Sequence, residues 1–196
     1  MSTTTSSAIS EFTIRRKVFK LFGASFHIYK PDGSLYGYCK QKAFKLKEDI
    51  RVYEDESMQT ERLRIAARQI IDFGAAYDVV SSATNQKIGA FKRKGWASLL
   101  QDTWLVLDEQ DREFGKIEED SMMMALVRRF VDFAGAFIPQ NFHLYDAERR
   151  ELARFRTHFH PFVHRMTVTV TPGSPVNPQL VLAAGILLVA IEGRQK

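Results

Sequence analysis

The residues best suited to chemistry in this chain are the lysines and arginines near its start, because few acids accompany them. Between residues 12 and 47 there are nine Lys or Arg residues and a single aspartate. Lys40 and Lys42 are two residues apart, as are Lys45 and Lys47, so on strands each pair projects from one face. Cations near a membrane attract anionic lipid by about 1 kcal/mol each. The candidate lipid-binding set is Arg15, Arg16, Lys17, Lys20, Lys40, Lys42, Lys45 and Lys47.

Protection of the surface and binding of nucleic acid would also account for these cations. Lysines on the outer face of a sheet discourage aggregation without binding anything. Single-stranded nucleic acid would need aromatic platforms between the cations, and Phe44 is the one aromatic residue in the densest basic run, residues 40–47. The sequence contains no nucleic-acid motif, which argues against that partner.

A second cluster has the residue type and spacing of a metal site. Histidines two apart on a strand share a face, and a third ligand a few residues later could complete the site. No acid or cysteine lies between residues 154 and 164 to add a fourth ligand, and Pro161 interrupts the strand. Hydrogen-bonded or surface histidines give the same pattern. We therefore predict no cofactor, and the metal candidates are His158, His160 and His164.

Cys39 is the single cysteine and therefore the one candidate thiol nucleophile. Lys40 and Lys42 could lower its pKa, but strand alternation puts the thiol on the face opposite to these lysines, toward the core. The sequence has no glycine-rich phosphate loop, nucleophile elbow or His-Glu-x-x-His helix. We predict that the protein is not an enzyme.

Strands must position most of these residues. Over most of the first 119 residues, apolar and polar residues alternate in short runs separated by turn residues, as in half-buried antiparallel strands. Four segments share one hairpin pattern, which indicates weak internal repetition. They are residues 25–41, 76–94, 105–118 and 142–156. This pattern predicts about twelve strands.

Two segments break the strand pattern. Residues 120–134 repeat apolar positions at helical spacing and predict one additional helix. Residues 180–191 are all apolar, but as a helix they would span roughly 18 Å against about 30 Å of bilayer core, so they predict a buried helix and no transmembrane segment. Asn177, Pro178 and Gly193 supply its boundaries and place this helix at 178–192.

These elements combine into a mainly β fold. A helix that is apolar on every face must be enclosed, and a closed sheet of this size needs something to fill its lumen. We predict a closed antiparallel barrel of about twelve strands around a buried hydrophobic C-terminal helix. Residues 1–10 are predicted to be a disordered leader, and residues 11–196 a single domain. The helix disfavours carriage of a ligand inside the barrel.

The ordered motifs resemble the tubby C-terminal-like superfamily, in particular its LURP-one-related and phospholipid-scramblase-like branches. The resemblance extends over nearly the whole chain after Ser10. Its residues are Phe26-His27-Ile28-Tyr29 with Gly33 and Gly37, Lys87-Ile88-Gly89 with Trp96, Phe114-Gly115-Lys116-Ile117 with Glu119-Asp120, and the terminal NPQLVLAAGILLVAIE.

The resemblance implies twelve strands closed around a C-terminal hydrophobic helix. Tubby proteins bind phosphoinositides through a basic pocket, and scramblases are tied to membrane lipids and calcium. This chain lacks the proline-rich N-terminus and cysteine cluster of scramblases. In its nearest acidic turn Arg112 follows Asp108 and Gln110, so a cation stands where a calcium loop would need a third oxygen ligand.

We therefore predict a non-enzymatic binding module for anionic lipid or phosphoinositide at a membrane surface. The alternative is a protein-interaction or regulatory scaffold that uses the barrel surface. The absence of a signal sequence and the single cysteine predict a cytoplasmic protein, attached peripherally to a membrane if the lipid hypothesis is correct.

Overall fold

Twelve antiparallel strands form one closed barrel in a computed structural model. The structure describes residues 10–17, 24–41, 49–68, 76–93, 103–120, 140–158 and 163–192. Each strand pairs with its neighbours in the chain, and β1 closes the barrel by pairing with β12. The strands are β1 (Glu11–Lys17), β2 (Ala24–Tyr29), β3 (Leu35–Gln41), β4 (Ile50–Tyr53), β5 (Glu61–Ala67), β6 (Ala76–Ser81), β7 (Gln86–Arg93), β8 (Trp104–Leu107), β9 (Glu113–Glu119), β10 (Asn141–Asp146), β11 (Glu151–His158) and β12 (Val163–Val170).

The predicted mainly β barrel of about twelve strands is therefore confirmed. The strands form where inward apolar residues alternate with outward polar ones, as in the buried, half-buried alternation of β6. Of the additional helix predicted at 120–134, residues 121–134 lie outside the described residues, as do residues 1–9 of the predicted leader.

Helix α1 (Pro178–Glu192) fills the barrel and has the predicted bounds. The Asn177 side-chain oxygen accepts a hydrogen bond from the Gln179 N–H at 2.9 Å, which caps the first turn. Every residue from Leu180 to Ala190 that carries a side chain is at most 3% exposed. Among the described residues, no helix is long and apolar enough to cross a membrane.

Gly185 lets α1 approach the wall closely at β1 and β12. A Cβ atom at this position would lie 2.6 Å from Val168 Cγ2 and 3.0 Å from Ile14 Cδ1. On another side, Phe91, Trp104 and Ile117 pack toward the helix. The helix therefore approaches β1 and β12 through Gly185, and its Leu180 side chain also lies close to Gly89 of β7.

The two ends of the barrel are built differently. One end, here called the turn end, carries the short segments 30–34, 54–60, 82–85, 108–112 and 146–150, the last of which includes the final residue of β10, and the linker 171–177 that leads into α1. The opposite end, here called the far end, is where the odd-numbered strands and α1 terminate. All five turns are accompanied by a register shift in their hairpin, at 28/29, 52/53, 79/80, 106/107 and 144/145.

Two of these turns are nearly identical, which matches the predicted repetition. Asp108 accepts the Arg112 backbone N–H at 2.9 Å and its side-chain Nε at 2.7 Å. Asp146 accepts the same two groups of Arg150 at 2.8 and 2.7 Å. The fourth residue of each turn has a positive φ, which is 65° at Asp111 and 64° at Arg149.

Candidate anion-binding face

Barrel closure lines up four residues that carry or can carry positive charge. In the strand register His158 lies opposite Arg165, Arg165 opposite Arg15, and Arg15 opposite His27. All four are on the outer face, because their strand neighbours are buried. We call His158, Arg165, Arg15 and His27 the cationic row. With strands about 4.8 Å apart, the row is roughly 14 Å long.

The row contains a like-charge pair that costs stability. Arg15 and Arg165 lie directly opposite each other on adjacent strands, an arrangement that is unfavourable without a compensating anion. Within the described residues, neither arginine is paired with a carboxylate, and neither is Arg156 two residues before His158. His27, at one end of the row, lies 2.7 Å from Glu56. The positive charge that a bound anion would stabilise is therefore that of the two arginines.

Several other arginines on the outer face have acidic partners. Arg51 contacts Glu61 at 3.0 Å, and Arg149 contacts Glu118 at 2.6 Å. Arg68 binds both Asp78 and Asp111, and the first of these hydrogen bonds raises the pKa of its guanidinium. Arg15 and Arg165 differ from these arginines in having no carboxylate partner among the described residues.

Hydroxyl and aromatic groups border the row. The Arg15 guanidinium lies over the Tyr29 ring at 4.7 Å from its centre. Thr13 and Thr167 face each other in the next register position, beside Arg156. Guanidinium and hydroxyl groups are the donors that phosphate and carboxylate oxygens accept. The face therefore has the chemistry to bind the head group of an anionic lipid.

His158 is a half-buried member of the row, as is His27. Its Nε2 lies 2.8 Å from the Thr167 hydroxyl oxygen. Burial lowers the pKa of His158 below its ordinary value, and repulsion from Arg165 and Arg156 lowers it further. An anion bound close to these arginines would offset their repulsion and raise the pKa of His158 again. The protonation of His158 is therefore coupled to the binding of an anion beside it.

The structure separates the predicted basic set into different parts of the molecule. Lys40 is exposed on the outer face, where alternation placed it, and Arg15 is exposed on that face as well. Arg16 instead shares the inner face with Phe12 and Ile14, and its Nη1 donates to the Val189 carbonyl oxygen of α1 at 3.2 Å. Lys17 ends β1. The side chain of Lys17 and the residues Lys20, Lys42, Lys45 and Lys47 lie outside the described residues.

Arg16 is therefore a contact to the buried helix and does not belong with the outward cations. Its charge sits at the carboxyl end of α1, where the helix dipole favours a cation. The spacing of Phe12, Ile14 and Arg16 could have revealed this inward direction, because all three are two residues apart.

The remaining candidates also have clear positions. Cys39 is fully buried on the inner face beside Val52, as alternation predicted, and burial raises the pKa of its thiol to about 12. His158 is on the outer face, whereas His164 is on the inner face with Met166.

Histidines on opposite faces of a barrel wall cannot bind one ion, and the described residues include no group of three possible metal ligands. His160 lies outside the described residues. The three-histidine metal site stays a prediction that the two described members do not support.

Sequence reasoning missed Arg156 and Arg165. Alternation in β11 and β12 could have placed each on an outer face. It could not place them beside Arg15, which is 150 residues from Arg165 in the chain. That neighbourhood exists only because β1 pairs with β12.

Comparison with known families agrees with the fold and its buried helix. A family model described as LURP-one-related matches residues 35–189. The chain belongs to the LURP-one-related family. This family is part of the tubby-like superfamily, so the resemblance identified from the motifs is confirmed.

An X-ray structure of a protein from Arabidopsis thaliana is similar to this LURP-one-related chain. The TM-score is 0.53 at 13% sequence identity, over 94% of this chain and 93% of that chain. At this identity the similarity concerns the fold alone. A search of curated proteins gave no match.

Proposed function

We propose that this LURP-one-related protein is a non-enzymatic module that binds anionic lipid, phosphoinositides included, at a membrane surface. The observation that carries the proposal is the cationic row, in which Arg15 and Arg165 face each other with no carboxylate partner among the described residues. A head-group phosphate or carboxylate between the two guanidinium groups would remove their repulsion and form charge-assisted hydrogen bonds.

The charge available is enough for reversible binding. Four exposed cations, Arg15, Lys40, Arg156 and Arg165, lie on strands β1, β3, β11 and β12, respectively. At about 1 kcal/mol each they would contribute roughly 4 kcal/mol, close to a thousandfold in partitioning. Salt screens such contacts over about 10 Å at 0.1 M ionic strength. Binding should therefore be salt-sensitive.

The test is co-sedimentation of the full chain with three kinds of vesicle at low and high salt. The vesicles contain phosphatidylcholine alone, phosphatidylcholine with phosphatidylserine, and phosphatidylcholine with a phosphoinositide. We expect salt-sensitive binding to the two anionic kinds alone. Absence of binding to all three would contradict the proposal and favour the protein-interaction scaffold.

A pair of matched variants tests the site. Arg15→Gln with Arg165→Gln removes two cations from the row and should lower partitioning into phosphatidylserine vesicles roughly 30-fold. Arg112→Gln with Arg149→Gln removes two exposed cations that have acidic partners, Asp108 and Glu118, and should change it far less. Equal losses in the two double variants would show that total charge, and not the row, determines binding.

A further inference from the structure

The two ends of the barrel carry opposite charge. The six segments of the turn end contain nine acidic and four basic residues, a net of −5. These segments are 30–34, 54–60, 82–85, 108–112, 146–150 and 171–177. The chain as a whole has a formal net charge of +5, so positive charge is concentrated away from these turns.

The described residues at the far end have the opposite sign. The described residues nearest that end, three from each strand with its flanking residue and three from α1, contain ten basic and six acidic residues, a net of +4. They are 15–17, 24–26, 39–41, 49–51, 66–68, 76–78, 91–93, 103–105, 118–120, 140–142, 156–158, 163–165 and 190–192. Without Arg68 and Glu118, whose side chains pair with Asp111 and Arg149 of the turns, the net is still +4. Three members of the cationic row, Arg15, His158 and Arg165, are in this set.

This separation of charge acts along the barrel axis. Strands of about seven residues, tilted as barrel strands are, separate the two ends by roughly 20 Å. The screening length at physiological salt is about 8 Å, so a charged surface acts mainly on the end that faces it. An anionic membrane would attract the far end and repel the turn end.

We propose that the barrel attaches to anionic membranes by its far end, with the turn end directed away from the bilayer. This orientation rests on the proposed lipid binding and adds which part of the molecule contacts the membrane. The carboxyl end of α1 then faces the bilayer, where the Arg16 guanidinium on Val189 offsets the negative end of the helix dipole.

Two single-cysteine probes can test the orientation with matched charge changes. Asp49→Cys places a thiol at the far end, just before β4, and Glu109→Cys places one in a turn. Both side chains are exposed, and each change removes one acid. Cys39 is buried, and unlabelled wild-type protein checks that it stays unreactive. Each variant is labelled with an environment-sensitive fluorophore and mixed with phosphatidylserine vesicles, once without and once with a head-group quencher.

We expect the probe at residue 49 to gain emission on vesicles without the quencher and to lose that gain on vesicles with it, while the probe at residue 109 stays unchanged on both. Equal responses at the two positions, or a larger response at 109, would overturn the orientation while leaving lipid binding intact. If neither variant nor the unlabelled protein co-sediments with the vesicles, lipid binding itself fails, and the orientation fails with it.

Discussion

Arg15 and Arg16 are adjacent in the sequence and serve different parts of the molecule. Arg15 is exposed beside Tyr29, and Arg16 reaches inward to the Val189 carbonyl. The period of two in a strand is the whole cause of the difference. A basic run can therefore contain a surface cation and a structural one side by side.

The two arginines form a matched pair for a stability measurement. Arg16→Met should lower the free energy of unfolding by about 1–2 kcal/mol, because it removes a charge-assisted hydrogen bond and a favourable charge at the helix end. Arg15→Met should change it by no more than about 0.5 kcal/mol. Urea unfolding followed by circular dichroism measures both. Similar losses would contradict the assignment of Arg16 to the helix.

Cys39 should be unreactive in the folded protein. Its thiol pKa is raised from 9.0 to about 12 by burial. The stability linked to this group is complete below pH 9 and is lost as the pH rises toward 12, because only the unfolded chain ionises easily in that range. We expect Ellman's reagent at pH 8 to react at the rate of unfolding. Rapid reaction without denaturant would show that the thiol is accessible.

His158 should make lipid binding depend on pH. Its pKa is lowered by burial and by Arg165 and Arg156, and bound anionic lipid would raise it again. Binding to phosphatidylserine vesicles should therefore strengthen as the pH falls from about 7 to 5, since protonation is easier in the bound state. His158→Gln should flatten this part of the profile. An unchanged profile in that variant would exclude His158 as the cause.

At the scale of elements, hairpins and the terminal helix were predictable because their signals are local. Alternation and turn residues placed hairpins at 25–41 and 142–156, close to the observed β2–β3 and β10–β11 pairs. An apolar run after Asn177-Pro178 defined α1. The β4–β5 hairpin, residues 50–67, was not singled out, because β4 has only four residues.

Gly185 should be essential for how α1 sits against the wall. Gly185→Ala would gain roughly 1 kcal/mol of helix propensity, yet the 2.6 Å approach to Val168 Cγ2 should make it destabilising by about 1–3 kcal/mol. Val168→Ala removes the clashing methyl group. The free energy of unfolding of the Gly185→Ala, Val168→Ala double variant should therefore exceed, by at least about 1 kcal/mol, the value expected from adding the losses of the two single variants. Strict additivity in thermal unfolding would contradict the contact.

For the whole molecule, the closed sheet and α1 depend on each other. The inner faces of all twelve strands and the helix form one apolar cluster, so neither has another surface to cover it. This dependence was predictable from the sequence, because a fully apolar helix must be enclosed and a closed sheet of about twelve strands needs something to fill its lumen. The cationic row could not be predicted, because it arises from β1–β12 pairing across the length of the chain.

Placing charge inside the barrel should abolish folding. Leu187→Asp with Leu188→Asp buries two unpaired carboxylates at positions that are 2% exposed. The cost of several kcal/mol is comparable to the total stability of a domain. Leu35→Asp with Met58→Asp changes two residues that are 38% exposed and should be tolerated. Cooperative unfolding of a soluble double variant at 187 and 188 would refute the enclosed helix.

The position of α1 after all twelve strands has a consequence during synthesis. At about 5–20 residues per second, β1 leaves the ribosome roughly 10–30 s before the helix that must cover it. Through that interval the inward faces of Phe12, Phe26 and Phe91 have no permanent partner. The nascent chain therefore passes through a stage with its future core uncovered, in which chaperones have time to bind and premature termination leaves an aggregation-prone sheet.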